Sequence, residues 1–213
     1  MKSIPRGGER QDSHDTRVGM RRLINVPIAH TSADMGILGQ RLPPPAEGTA
    51  FADWWWQDVT RRIKRLRLDW RGAKVYQDGL PDVAEDLVEK IVRQVESPNY
   101  ELLRWLKGQG AAVLGTESWK LLAEEYESLR AILAAADAGE KKRATESYRV
   151  RAPSLLEERD TYITRRIDAT LGGGETAVLF VGMAHQVVRR LPRDITVIPL
   201  AGLRSVIGNV EFL

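Results

Sequence analysis

The stretch TAVLFVGMAHQVVRRL, residues 176–191, decides the fold. Its first seven residues are an unbroken apolar run closed by Gly182, with Gly172-Gly173-Gly174 just before it. Such a run, too short for a helix and bounded by glycine, reads as a strand buried on both faces, the kind found in parallel sheets. A short helix is expected over about 184–191, and "ITVIPL", residues 195–200, reads as the next strand. The three glycines precede a strand rather than link a strand to a helix, so they read as a helix stop and not as a phosphate loop.

The same pattern extends outward. "LINVPIA" (23–29), "AKVYQ" (73–77) and "AAVLG" (111–115) read as further short strands. Between them lie helical periodicities. Trp55, Val59, Ile63 and Leu66 recur on a helix over about 50–68. Ala84, Leu87, Val88, Ile91 and Val95 form an apolar face after Pro81. Ser97-Pro98 opens another helix that Gly108 closes, and Ser118 caps one running to Ala136. Residues 137–153 are polar and charged and read as an exposed loop. Ser154, with Glu157 three residues on, matches a capping box for a helix to Leu171. Strands alternating with helices predict one α/β domain over residues 21–213, with a mainly parallel sheet of about five strands flanked by helices. Residues 1–20 are polar, glycine-rich and without period, and are expected to form a disordered arm, with Met20 an alternative start.

Composition excludes several classes. The 213 residues include no cysteine, so disulfide frameworks and thiolate metal sites are impossible. No apolar stretch approaches the roughly 18–20 residues of a membrane helix, and the N-terminus has no signal-peptide core. A cytoplasmic protein is therefore expected. The 32 basic and 29 acidic residues are mixed along the chain and leave a formal charge of only +3. "RRIKRLR", residues 61–67, beside Trp54, Trp55 and Trp56 suggests a basic interaction module or nucleic-acid stacking. A core-facing tryptophan stripe with solvated arginines accounts for it better.

In open parallel sheets, ligands bind beyond the carboxyl ends of the strands. Past the first strand come His30 and Asp34, past the second Asp78, past the third Glu117 and past the fourth His185. The helix before the fourth strand adds Arg159 and Asp160, the latter in its apolar stripe between Leu156 and Ile163. Histidines with carboxylates form an oxygen and nitrogen ligand set suited to Mn, Fe or Zn. His30, His185, Asp34 and Asp78 are the candidate metal ligands. Glu117 and Asp160 are candidate bases or further ligands, and Arg159 is a candidate to orient an anionic substrate group. Without metal, the two histidines could serve as plain acid and base.

"GMAH", Gly182 to His185, resembles the Gly-x-x-His motif of the TraB/GumN/TIKI group, linked with erythromycin-esterase and ChaN-like α/β proteins. "PIAH" would supply the first histidine, with Pro27 where that group has glycine, and Glu117 the intervening glutamate. "EERD", Glu157 to Asp160, resembles the group's helix signature, with Asp160 in place of asparagine. The resemblance implies a metal-dependent hydrolase, peptidase- or esterase-like, acting on a small-molecule or peptide substrate. Its ChaN-like branch implies instead a non-catalytic small-ligand or haem-binding protein. Homo-oligomerisation is compatible with either.

Overall fold

A computed structural model describes residues 19–28 and 48–200. His30, Asp34, the disordered-arm assignment for residues 1–18 and the possible His30–His185 pairing lie outside the described residues. The chain forms one α/β domain. Five strands, β1 (Arg21–Ile28), β2 (Lys74–Pro81), β3 (Ala112–Glu117), β4 (Thr176–Gly182) and β5 (Ile195–Pro199), make an all-parallel sheet in the order β3-β2-β4-β1-β5. The expected strands are all present, and β2 runs further than its apolar residues, through Asp78 to Pro81.

Alternation along the strands divides the core in two. On one face Ile24, Val26, Val75, Val178 and Phe180 pack with Trp55, Trp56, Val59 and Ile63 of α1 (Gly48–Arg65). Val88 and Val92 of α2 (Glu85–Gln94) and Leu102, Leu103 and Leu106 of α3 (Pro98–Gly108) complete that layer. Trp56 is thus core, while Trp54 is 44% exposed. Ser97 caps α3 by accepting a hydrogen bond from the Tyr100 N–H at 3.3 Å. On the other face Leu23, Tyr76, Ala177, Leu179 and Val181 meet Ile163, Ile167 and Leu171.

The helix carrying those last residues overturns the expected loop. Residues 137–153 are not a loop: α5 runs unbroken from Ala138 to Thr170, 33 residues with Pro153 inside it. Its N-cap is Asp137, whose side chain accepts from the Glu140 N–H at 2.8 Å, and not Ser154, which lies mid-helix. The segment is polar because it has no core to face. Its first half leans on α4 (Trp119–Ala134), which contains no buried residue, so α4 and the start of α5 form a helical hairpin away from the sheet core. Ala, Glu, Lys and Arg are nevertheless strong helix formers, and that propensity with the Asp137 cap sets the helix. The inward stripe uses Leu155 where the sequence suggested Leu156. A short α6 (Val187–Arg190) follows β4.

Candidate functional site

The carboxyl ends of β2, β3 and β4 bring Asp78, Glu117 and His185 together. One ligand atom from each lies within 4.8 Å of the other two. The side chains of Asp78 and Glu117 are 0% exposed and that of His185 is 5% exposed. Two glycines shape this edge. Gly79 has φ +76°, a left-handed conformation that lets β2 turn past Asp78. A Cβ on Gly115 would sit 1.8 Å from the Pro81 carbonyl oxygen, so β3 can approach the irregular end of β2 only with glycine there.

Arg159 and Asp160 enter from α5, Arg159 toward the carboxylates and Asp160 toward the histidine. Arg159 donates from Nε to both Glu117 oxygens at 3.2 and 3.1 Å, and from Nη2 to Glu117 Oε1 at 2.6 Å. The same Nη2 lies 3.1 Å from Asp78 Oδ1, and Nη1 donates to Glu125 Oε2 on α4. Asp160 faces the histidine. Its Oδ1 is 2.6 Å from His185 Nδ1, and its Oδ2 accepts from the Gln186 backbone N–H at 2.8 Å. His185 Nε2 lies 3.3 Å from Asp78 Oδ2, which also accepts the Gly182 N–H at 2.8 Å.

Electrostatics reflect this packing. Burial opposes the charged imidazolium, but the carboxylates of Asp160 and Asp78 on its two nitrogens outweigh burial, and the His185 pKa is pushed up to about 10. Burial pushes the Glu117 carboxyl up to about 7; Arg159 opposes this and the nearby Asp78 charge adds to it. The Arg159 guanidinium stays charged, its three carboxylates outweighing the cost of burial.

The sequence-expected residues Asp78, Glu117, Arg159, Asp160 and His185 thus meet at one edge. Asp160 is the support of His185 rather than a member of the closely spaced group. Sequence reasoning missed Glu125 and the N–H groups of Gly182 and Gln186. Nothing in the α4 pattern marks Glu125, because its role depends on the hairpin leaning over Arg159. The basic segment of α1 is partly neutralised: Asp58 accepts from Arg61 at 2.8 Å and from Arg62 at 2.5 Å, and Lys64 sits over the Trp105 ring. No helix among the described residues is long and apolar enough to cross a membrane. No family model, curated protein or solved structure matches this chain.

The donor set suits a divalent cation. Donors at about 2.1 Å from one ion, subtending 90–109°, lie about 3.0–3.4 Å apart, and opposite donors about 4.2 Å apart. The 3.3 Å between His185 Nε2 and Asp78 Oδ2 falls in the first range. The three ligand atoms lie within 4.8 Å of one another, so the set would close around an ion chiefly by movement of Glu117. His185 Nδ1 on Asp160 is the carboxylate–histidine support usual behind a metal-bound imidazole.

Proposed function

We propose that the chain is a metal-dependent hydrolase whose cation is held by Asp78, Glu117 and His185 at the carboxyl edge of the sheet. The observation that carries this reading is the convergence of two buried carboxylates and a histidine from the ends of three separate strands, one ligand atom of each within 4.8 Å of the others. The chemistry of the cluster supports it: the carboxyl groups of Asp78, Glu117, Glu125 and Asp160 meet around Arg159 and His185, and His185 would release its proton on taking the ion. A buried ionic cluster of this kind is also poor economy for stability alone, since well-packed apolar side chains usually do as well.

A cation there would supply an acidified water and a Lewis acid toward a carbonyl or phosphoryl oxygen. The chain's own residues do the rest. Asp160 fixes the His185 ring with Nδ1–H toward it and Nε2 toward Asp78. Arg159, once its fork leaves Glu117 and Asp78, would hold an anionic substrate group. His30 and Asp34, which come after β1 in sequence, are the further donors in this proposal. The Gly-x-x-His resemblance points the same way, with a small-molecule ester or a peptide as substrate.

The test is elemental analysis after loading with Mn²⁺, Fe²⁺ or Zn²⁺ and desalting, paired with hydrolysis of ester and peptide panels. Wild type should retain close to one ion per chain, and His185→Ala and Asp78→Asn should lose both the ion and the hydrolysis. Negligible metal in wild type with all three ions would sink the reading.

A further inference from the structure

Arg159 Nη2 lies 2.6 Å from Glu117 Oε1 and 3.1 Å from Asp78 Oδ1. Two of the three proposed ligands are therefore bridged by a cation that belongs to the chain. We propose, building on the cation site above, that Arg159 is an internal competitor for that site: its guanidinium occupies the position between Asp78 and Glu117, and Glu125 is the berth to which it withdraws when a divalent ion enters.

Three features carry the inference. First, Arg159 binds Glu117 through both Nε and Nη2, so Glu117 cannot close on an ion while that fork is engaged. Second, the guanidinium already has a second anchorage, since Nη1 pairs with Glu125, whose side chain is 25% exposed against 0% for Glu117 and Asp78. A rotation toward Glu125 moves the charge from the buried edge to a partly solvated one without leaving it unpaired. Third, Glu125 is itself held in place, because its Oε1 accepts from the Tyr148 hydroxyl at 3.0 Å. Withdrawn there, Arg159 would present its free donors beside the ion, which suits a substrate carrying a carboxylate or phosphate next to the scissile bond.

The device predicts opposite signs at two positions. Arg159→Gln should bind Mn²⁺ or Zn²⁺ about tenfold more tightly than wild type, because no guanidinium must be displaced. Glu125→Gln should bind about tenfold more weakly, because the displaced guanidinium loses its berth. Glu124→Gln is the control: it removes the same charge from the neighbouring position of α4, where the partner is Arg151 and not Arg159. Isothermal titration of the metal-free proteins with Mn²⁺ and Zn²⁺ reads all four. If Arg159→Gln does not fold, the Glu125→Gln and Glu124→Gln pair still decides. Equal losses in Glu125→Gln and Glu124→Gln, or unchanged affinity in Glu125→Gln, overturn the competitor while leaving the metal site standing. An absence of binding by wild type and every variant overturns both.

Discussion

Two arginines with nearly the same exposure do different work at opposite edges of the sheet. Arg21, at the start of β1, is 10% exposed in its side chain; Arg159 is 9% exposed. Arg21 donates to Asp194 at 2.7 and 3.0 Å and to Asp168 at 2.8 Å, but those carboxylates are half solvated, at 53% and 50%. Its remaining donor, Nη1, goes to the Asp168 and Leu171 carbonyls that close α5. Such a clamp ties a strand to a helix C-terminus and completes orphan carbonyls. Arg159 differs in that all its partners are carboxylates, three of them, two fully buried, and one of these, Asp78, in turn faces a histidine. On the proposed reading, carbonyls and wet carboxylates mark Arg21 as structural, and dry carboxylates beside a histidine mark Arg159 as part of the site.

Truncation separates the two arginines by the largest margin. Arg159→Ala leaves Glu117 buried without its counter-charge and Asp78 with His185 as its cationic neighbour, and removing one partner of a buried pair costs about 3–5 kcal/mol. In metal-free buffer, urea unfolding should show a loss of that order. A loss no larger than that of Arg21→Ala would mean that the Arg159 cluster is as well solvated as the Arg21 one. Arg21→Ala comes next, at about 1–2 kcal/mol, because water can replace the guanidinium on both aspartates and only the two carbonyls lose a buried donor.

The two edges also respond to pH with opposite sign. In the folded protein, His185 holds its proton to about pH 10 rather than 6.5. The folded state therefore binds more protons than the unfolded chain between those values, and stability falls as pH rises through that window. Glu117, pushed up to about 7, acts with the same sign at lower pH. Asp194 is lowered by its hydrogen bond to Arg21, so its contribution is present at neutral pH and lost on acidification below the usual aspartate range. Melting temperatures of metal-free wild type should decline from about pH 7 to pH 10, and His185→Gln should flatten that decline. A wild-type profile flat to pH 10 would show that the imidazole is neutral in the folded state.

How much of the molecule is legible in the sequence depends on whether a residue's neighbours are set by the strand pattern. Asp78, Glu117 and His185 come after continuous apolar runs, and a parallel sheet sends the ends of such runs to one edge whatever their order. Arg159 and Asp160 are legible because Asp160 interrupts an apolar stripe. Glu125 is not, since α4 packs mainly on α5 and only lightly on the sheet. The start of α5 misleads for a related reason. Asp137 with Glu140 and Ser154 with Glu157 offer the same cap-and-acid spacing, and apolar periodicity begins only after the second. Periodicity reports burial, and half of α5 is helical without being buried.

A third arginine sets the lower end of the scale. Arg151, on the exposed half of α5, pairs with Glu124 and Glu158 and donates to Ser154 Oγ at 2.8 Å. By its carboxylate partners it resembles Arg159, yet its side chain is 32% exposed and its two carboxylates 39% and 49%. Water can take over every contact it makes, and the entropy of holding three long side chains offsets much of the attraction. Arg151→Ala should therefore leave the urea midpoint within measurement error, and added salt, at about 0.5 M, should not separate variant from wild type. A clear destabilisation would show that the α4–α5 hairpin depends on this network, and the number of partners would then carry weight even where burial is absent.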